Sequence, residues 1–287
     1  MLRADVADGA AVAAAVRGMD VVFHCAAKAG IWGALCEYRR VNVLGTRRVL
    51  DACLAAGVRR FVHTSSPSVV MDGRDLEGVN ESLPYPSSYK ANYPRTKAEA
   101  EKLALGANSS AIAVVALRPH LIWGPGDNHF LPRLVSRARA GKLRRFSGPP
   151  KLVDTTYIDD AARAHLLAAD RLRIGSAISG KAYFISQGQP LPLWDIIDRL
   201  LATAGVGPLN KQVPPRLAYA AGSLLEIIYT AFACDTEPPI TRFLAEELSS
   251  AHWFDLSAAR RDLGYQPSCT FDEGLKRLTD WLRRDGR

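Results

Sequence analysis

The sequence is missing several features that mark other classes of protein. Its five cysteines form no Cys-x-x-Cys pair and are odd in number, which argues against a disulfide scaffold and against a zinc site. The net charge is +8, yet there is no long run of Lys and Arg, so no nucleic-acid partner is predicted. We therefore expect a globular protein of a reducing compartment, the cytoplasm, without a metal site.

Long hydrophobic runs are also scarce. The longest apolar stretch, residues 217–233, is interrupted by Gly222 and Glu226 and is too short for a membrane span. Two interpretations stay open for it: a buried core helix, or an amphipathic helix that touches a membrane surface. With 48% hydrophobic residues over 287 positions, the chain can bury a large core.

Three apolar segments alternate with helical patterns in the first part of the chain. Residues 20–27 and 60–65 have the composition of short buried strands, and residues 111–122 that of a third. Apolar residues at helical spacing fill 42–56, and a second helix is predicted over 93–105. This alternation is typical of an α/β fold with a doubly wound parallel sheet and helices on both faces.

Polar residues with useful chemistry fall at the predicted strand ends. Thr64-Ser65-Ser66 ends the second strand, and Tyr93 and Lys97 lie one turn apart on the same face of the following helix. A free Tyr titrates at about 10, and a neighbouring ammonium favours the phenolate. Because ligands bind beyond the carboxyl ends of parallel strands, these residues predict a proton-transfer site for a carbonyl or an alcohol.

The predicted secondary structure changes after residue 124. Helical patterns dominate from there, separated by proline-rich joints, and one further strand is predicted over 182–186. We predict a first domain over residues 1–124 that carries the sheet. The second domain, residues 125–287, is predicted to be mainly a helical cap over the site, with segments that return to the sheet.

Six short motifs are shared with one known family. They are His24-Cys25-Ala26-Ala27, Asn42-Val43-Leu44-Gly45-Thr46, Thr64-Ser65-Ser66, Tyr93-x-x-x-Lys97, Leu117-Arg118-Pro119 and Gly124-Pro125-Gly126. In this combination the chain resembles the extended short-chain dehydrogenase/reductases, in their 3β-hydroxysteroid dehydrogenase-like branch. Longer segments, such as 121–127 and 237–246, are similar to the bacterial 2-alkyl-3-oxoalkanoate reductases of long-chain olefin biosynthesis. The resemblance implies a Rossmann-like fold and an NAD(P) cofactor.

The resemblance also implies a role for each matching residue. Tyr93 would protonate the carbonyl oxygen during reduction, Lys97 would hold the nicotinamide ribose and lower the pKa of Tyr93, and Ser66 would hydrogen-bond to the substrate oxygen. Asp5 and Val6 would contact the adenine, and the other cofactor residues would line the groove towards the nicotinamide. The implied cofactor-binding set is Asp5, Val6, Ala26, Ala27, Lys28, Ser65, Tyr93, Lys97, Pro119 and His120.

Structural alternatives stay open for several of these positions. Ser65 and Ser66 also suit the end of a strand, where a hydroxyl bonds to nearby backbone. Asn42 also suits a helix N-cap. Lys28 is also explained as a surface charge, and His120 as a partly buried histidine with satisfied hydrogen bonds.

One family motif, the Gly-x-x-Gly-x-x-Gly loop after the first strand, is missing from the sequence. That loop lets the backbone approach the pyrophosphate of the dinucleotide. We expect the chain to enter near the family's third strand, so that its sheet lacks the first two strands and residues 21–23 form an unpaired edge. On this expectation the polypeptide is a truncated form that binds nucleotide poorly and is unstable alone.

The leading prediction is an NAD(P)-dependent oxidoreductase that reduces a 3-oxo group, or oxidises a 3-hydroxy group, on a large apolar substrate such as a 2-alkyl-3-oxoalkanoate. Apolar and aromatic residues in the predicted cap favour a lipid over a sugar. The alternatives are a sterol or steroid 3β-hydroxy dehydrogenase, a nucleotide-sugar epimerase or dehydratase, and an inactive fold with a binding role. The basic charge balance slightly favours NADP over NAD, and a homodimer is left open.

Overall fold

The computed structural model describes residues 2–284 of the chain. Its helices are α1 (Gly9–Val16), α2 (Leu35–Tyr38), α3 (Gly45–Ala56), α4 (Asn92–Gly106), α5 (Phe130–Arg139), α6 (Ile158–Arg171), α7 (Leu193–Thr203), α8 (Pro215–Ala231), α9 (Arg242–Glu247) and α10 (Phe271–Arg284). Its strands are β1 (Val22–His24), β2 (Arg60–Thr64), β3 (Leu76–Val79), β4 (Ala113–Pro119), β5 (Ile122–Trp123), β6 (Arg145–Phe146), β7 (Leu152–Val153), β8 (Thr156–Tyr157), β9 (Ala182–Ile185), β10 (Leu191–Pro192), β11 (Gln212–Val213) and β12 (His252–Phe254). Residues 1 and 285–287 of the two predicted domains lie outside the described residues.

The main sheet is parallel, with the strand order β1-β2-β4-β9. Every residue of β4 is buried, as expected for a strand covered on both faces. Successive residues of β2 point to opposite faces: Phe61 packs in one core with Leu50 of α3, and Val62 packs in another with Ala164 of α6. Helices therefore cover both faces, and the predicted doubly wound parallel sheet is confirmed.

Strand β1 lies at the edge of this sheet. Within residues 2–284 it pairs only with β2, through Val22–Phe61 and the two following positions. The side of β1 away from β2 is open, and Phe23 is 38% exposed. The unpaired edge predicted for residues 21–23 is therefore confirmed, although the strand is shorter than the predicted 20–27 because only three of its residues find partners.

The helix predicted over 42–56 begins earlier and changes its pitch. The chain is helical throughout 35–56, and the segment Arg39–Leu44 between α2 and α3 is a π-helix. Gly57 ends α3 in the left-handed conformation, with φ of 73°, and its N–H bonds to carbonyls of the last turn. Extra-wide turns of this kind often occur at functional sites, and this one lies beside α4.

Part of the chain after residue 124 returns to the main sheet. Strand β9 extends the sheet beyond β4, and α6 packs across β2 and β4. The face of α6 on the sheet consists of small residues, including Ala161, Ala164 and Ala168. These alanines give little hydrophobic contrast, which explains why no helix was predicted there.

A second core lies among the later helices. Helix α7 packs against α5 and α10, and the shared apolar cluster includes Leu134, Leu200, Leu278 and Ala218 of α8. A smaller sheet with the order β10-β7-β12-β3 joins this region to the segment before α4. The mostly helical C-terminal part of the predicted fold is thus confirmed, and it adjoins the carboxyl ends of the main strands through β12 and β3.

Candidate active site

Tyr93 and Ser66 meet where α4 begins. Burial raises the pKa of the Tyr93 phenol above its usual value, and a hydrogen bond with Ser66 offsets part of this effect. Ser66 Oγ also lies 3.0 Å from Ser68 Oγ and accepts the Ser68 N–H at 3.3 Å. Ser66 therefore caps the short helical turn Pro67–Val69, as its structural interpretation predicted, and its hydroxyl also contacts the phenol.

Lys97 lies one turn after Tyr93 and is 4% exposed. Its Nζ donates a hydrogen bond of 2.5 Å to the Thr64 carbonyl at the end of β2. Burial lowers the pKa of Lys97 to about 8, against an opposing influence of Glu101. The predicted lowering of the Tyr93 pKa by Lys97 is not found, because burial disfavours the charged form of both groups and the ammonium is directed to Thr64.

A buried ion pair lies beneath Lys97 on the same helix face. Glu101, one turn further along α4, receives two hydrogen bonds from Arg118 of β4, at 3.0 and 2.6 Å. Tyr85 donates a third at 2.6 Å. Burial raises the pKa of Glu101, but the bonds and charge of Arg118 outweigh this and hold the pKa below its usual value. The carboxylate is thus fixed as an anion below the lysine.

The residues after β1 lie beside the end of β2, to which Lys97 is hydrogen-bonded. Ala26 and Ala27 are exposed, and Thr64 Oγ1 donates to Cys25 Sγ at 3.1 Å, which joins the ends of β1 and β2. Lys28 Nζ forms an exposed ion pair with Glu37 at 2.5 Å. This pair agrees with the surface-charge alternative for the Lys28 side chain.

Asn42 connects the segment after β1 to α4. Its Oδ1 accepts the Lys28 N–H at 2.7 Å, and its Nδ2 donates to the Lys28 carbonyl and to Thr96 Oγ1, at 3.2 and 3.0 Å. The N-cap interpretation of Asn42 is wrong, because the residue lies inside the π-helical segment and not at a helix start. Instead the wide turn directs the Asn42 amide to both Lys28 and Thr96.

Asn42→Ala is expected to lower the free energy of unfolding by about 1–3 kcal/mol, because it removes the hydrogen bonds that this buried amide makes to the Lys28 backbone and to Thr96. Urea unfolding measures the change. Asn80→Ala is the matched control: Asn80 is exposed, and within residues 2–284 its side chain bonds only to Ser82, so a change within about 0.5 kcal/mol is expected. Equal losses in the two variants would contradict the bridging role.

The two residues assigned to the adenine end lie at the start of the chain. Asp5 is exposed and forms an ion pair of 2.5 Å with Arg40. Val6 packs closely on α3, because a Cβ placed on Gly45 would come within 2.7 Å of Val6 Cγ1. Both residues therefore lie beside the helices that follow β1, and no contact joins them to Tyr93 or Lys97 within the described residues.

The remaining predicted cofactor residues are buried at the ends of β2 and β4. Ser65 donates its N–H to the Leu117 carbonyl at 2.6 Å, and Pro119 pairs with Ile185 of β9. His120 is 4% exposed, and its Nε2 lies 3.1 Å from Nδ1 of His252. Among residues 2–284, no hydrogen bond links His120 to Ser66, Tyr93 or Lys97.

The donors present fit the nicotinamide half of a dinucleotide. Tyr93 and Lys97 supply a phenol and an ammonium on α4. The small residues Ala26 and Ala27 are exposed after β1, whose end is joined to that of β2 by the Thr64–Cys25 hydrogen bond. The sequence supplies no glycine-rich loop for the pyrophosphate. The fit therefore covers the nicotinamide ribose and does not extend to the phosphates.

Comparison with known proteins gives a consistent family. Residues 1–214 match the profile of the 3-beta hydroxysteroid dehydrogenase/isomerase family. A 2-alkyl-3-oxoalkanoate reductase of Stenotrophomonas maltophilia (strain K279a) is 47% identical over 279 residues, which are 96% of this chain and 84% of the relative. The chain belongs to the 3-beta hydroxysteroid dehydrogenase/isomerase family.

One further relative and one solved structure are also similar to the chain. A 2-alkyl-3-oxoalkanoate reductase of Shewanella oneidensis (strain MR-1) is 45% identical over 286 residues, covering 97% of this chain and 74% of the relative. The solved structure of MoeE5 in complex with UDP-glucose and NAD superposes with a TM-score of 0.73 at 25% identity, covering 100% of this chain and 86% of that one. The predicted resemblance and the Rossmann-like fold are both confirmed.

In this member of the 3-beta hydroxysteroid dehydrogenase/isomerase family, sequence reasoning missed two residues near the phenol. Burial, together with the charge of Glu246, raises the pKa of Glu247 to about 7, and the charge of Glu247 in turn contributes to the raised pKa of Tyr93. His252 Nε2 lies 2.9 Å from the Glu247 carbonyl oxygen and links it to His120. Both residues lie about 150 positions after Tyr93 in the sequence, and no motif marks them.

Proposed function

We propose that the chain is an NAD(P)-dependent oxidoreductase that reduces the 3-oxo group of a 2-alkyl-3-oxoalkanoate, or oxidises the corresponding 3-hydroxy acid. The observation that carries the proposal is the contact of Ser66 with Tyr93, one turn before buried Lys97, in a chain 47% identical to a reductase of that name. Residues 1–124 are proposed to hold the cofactor, and residues 125–287 mainly to cover the substrate.

In this proposal the chain positions the carbonyl and supplies the proton, and the nicotinamide, when bound, supplies the hydride. Ser66 donates a hydrogen bond to the carbonyl oxygen and so orients it towards Tyr93. Tyr93 transfers its phenol proton to the oxygen as negative charge develops there. The raised pKa of Tyr93 keeps the phenol protonated at neutral pH, which is the form that reduction requires.

Lys97 has a positioning function in this arrangement. Its ammonium holds a ribose hydroxyl of the cofactor one helical turn from Tyr93. The Thr64 carbonyl fixes the position of Nζ in advance, so little reorganisation is needed when the substrate binds. The cofactor set proposed around this lysine is Asp5, Val6, Ala26, Ala27, Lys28, Ser65, Tyr93, Lys97, Pro119 and His120.

NADP is proposed as the favoured cofactor. The net charge of +8 attracts the more anionic of the two dinucleotides. A cytoplasmic location belongs to the same proposal, since Cys25, Cys36, Cys53, Cys234 and Cys269 are all free thiols.

Two other functions have specific support. A steroid 3β-hydroxy dehydrogenase is supported by the family description, and a nucleotide-sugar enzyme by the fold shared with MoeE5. The outer surface of α8 exposes large aliphatic residues such as Leu224 and Ile227, which suit contact with an apolar partner. Of the two partners predicted beyond the substrate, a membrane surface and a second copy, this exposed face favours the membrane.

The function is tested by assaying the full chain with NADPH and with NADH against three substrates: a 2-alkyl-3-oxoalkanoate, a 3β-hydroxysterol with the oxidised cofactor, and UDP-glucose. We expect turnover of the oxoalkanoate alone, faster with NADPH than with NADH, and at a high cofactor KM because the glycine-rich loop is missing from the sequence. Turnover of the sterol or the nucleotide sugar, without turnover of the oxoalkanoate, would transfer the proposal to that substrate class. A folded chain that turns over none of the three would support a binding role.

A further inference from the structure

Helix α8 exposes a continuous apolar stripe. Positions 217, 220, 221, 224, 227, 228, 231 and 232 are all exposed, and helical spacing places them on one side of α8 and its last turn. All eight are aliphatic, alanine or phenylalanine, and the five largest are between 39% and 78% exposed. These five are Leu217, Leu224, Ile227, Ile228 and Phe232. Such a patch on a soluble surface marks an interaction site.

The opposite side of α8 is committed to the protein. A Cβ on Gly222 would lie 2.7 Å from the Thr241 backbone, so α9 approaches the helix very closely there. Glu226 receives the N–H and the guanidinium of Arg242, both at 2.6 Å. The stripe therefore faces away from the molecule, and α8 cannot rotate to bury it without breaking these contacts.

The inner side of α8 also leads to the candidate active site. Tyr229 makes an edge-to-face contact with Trp32, with ring centroids 6.1 Å apart. The loop that carries Trp32 is bonded to the start of α4, since the Gly33 carbonyl accepts from Asn92 Nδ2 at 2.9 Å. Asn92 directly precedes Tyr93. The exposed stripe thus lies on the outside of a helix whose inner side is linked, through Trp32 and Gly33, to the start of α4.

Positive charge surrounds the beginning of α8. Strands β11 and β6 pair in parallel, which sets Lys211 beside Arg144. Lys142 and Arg216 extend the group, all four side chains are exposed, and among residues 2–284 none of them has an acidic partner. Past the other end of the helix, Asp235 is exposed. The surface is therefore apolar along the helix and basic at its start.

We propose that the α8 stripe and the four cations Lys142, Arg144, Lys211 and Arg216 form a docking surface for an anionic lipid bilayer. Aliphatic side chains would enter the acyl boundary, and the cations would meet the lipid phosphates. No helix within the described part of the chain is long and apolar enough to cross a membrane, so α8 would lie in the plane of the interface. The choice of a lipid surface rests on the proposed function, because an apolar substrate partitions into membranes.

The test is flotation of the full chain with vesicles of phosphatidylglycerol and phosphatidylcholine, compared with pure phosphatidylcholine vesicles. We expect binding to the anionic vesicles that weakens with added salt. The double variant Leu224→Glu with Ile227→Glu is expected to lower binding about tenfold or more, since it places two charges in the apolar face. Leu166→Glu is the matched control: Leu166 is 59% exposed on α6, away from the stripe, and its replacement leaves binding unchanged.

A second variant, Lys211→Glu with Arg216→Glu, alters only the charged part and gives an independent test if the first variant does not fold. It is expected to lower binding to anionic vesicles about tenfold. Absence of binding by the wild-type chain, or equal binding by all variants, overturns the proposal. So does a dimer in sedimentation that dissociates in the Leu224/Ile227 variant without any vesicle binding, because the stripe would then meet a second copy.

Flotation needs no turnover, so its result is separate from that of the proposed function. Turnover of a short-chain, water-soluble 2-alkyl-3-oxoalkanoate is expected to be the same in the wild type and in both double variants. Vesicle binding without turnover would contradict the proposed function and support the docking surface. Turnover without vesicle binding would support the proposed function and contradict the docking surface.

Discussion

Tyr93→Phe is expected to lower kcat/KM for the oxoalkanoate by about 10²–10⁴-fold, the range that a positioned general acid contributes. The variant keeps the ring and loses only the hydroxyl that contacts Ser66. Affinity for NADPH is expected to change little, because the implied ribose contact is made by Lys97. Initial rates of NADPH oxidation and a separate fluorescence titration of the cofactor measure the two quantities.

Tyr89→Phe is the matched control for this loss. Tyr89 lies just before α4 and donates its hydroxyl to the Val69 carbonyl at 2.8 Å, so its replacement removes a phenol hydrogen bond of similar setting outside the proposed machinery. Turnover in that variant should stay within a few-fold of the wild type. If Tyr93→Phe kept its activity, or lost turnover and cofactor affinity together, the role of Tyr93 as proton donor would be rejected.

The central part of the fold could be predicted because its physical signals are local. Strands β2 and β4 are buried on both faces in their central parts, so Phe61-Val62 and residues 113–117 are apolar without alternation. Helix α4 carries Tyr93 and Lys97 four positions apart, and this spacing alone places them on one face. Ligand sites lie beyond the carboxyl ends of parallel strands. Thr64 ends β2 at this edge, and there its carbonyl meets Lys97 of α4.

Other features depend on contacts between distant parts of the chain, which leave no local pattern. Strand β12 has three residues and forms only because β3 and β7 pair with it. Its His252 reaches His120, 132 positions earlier in the chain. The perturbed pKa values of Lys97 and Glu247 arise from burial by residues that converge only in the folded chain. Sequence spacing therefore predicted the proximity of Tyr93 and Lys97 but not their protonation.

The π-helical turn at Asn42 shows a third kind of limit. The apolar spacing in this region predicted a helix correctly, yet it could not distinguish a wide turn from a regular one, because both bury the same face. The wide turn decides the role of Asn42. Because of this turn Asn42, a residue typical of helix caps, bonds both to Lys28 after β1 and to Thr96 of α4.

Glu101→Gln is expected to shift the alkaline limit of activity to lower pH. Lys97 acts as an ammonium, and its pKa of about 8 is already depressed by burial and supported by the negative charge of Glu101. Loss of that charge lowers the pKa of Lys97 further, so the ammonium is lost at a lower pH. A pH profile of kcat/KM measures the limit, and lysine side-chain NMR follows the titration of Lys97 independently of turnover.

The same substitution is expected to lower the free energy of unfolding by about 3–5 kcal/mol, because the buried Arg118 loses its counter-charge. The pKa of Lys97 in the folded chain, about 8, lies below the usual lysine value of 10.5. The unfolded chain therefore binds more protons between those two values, and stability rises with pH across that window in the wild type. Because Glu101→Gln lowers the pKa of Lys97 in the folded chain, the pH range over which stability rises should begin at a lower pH in that variant.

Two further variants separate the electrostatic role of Glu101 from its packing. Tyr85→Phe removes the 2.6 Å hydrogen bond to the carboxylate but keeps its charge, so the alkaline limit should stay in place while stability falls. Glu101→Leu with Arg118→Met replaces the whole pair by apolar groups, which often restores stability, and it should still show the lowered limit. A folded Glu101→Gln protein whose alkaline limit and Lys97 titration match the wild type would leave the ion pair with a structural role alone.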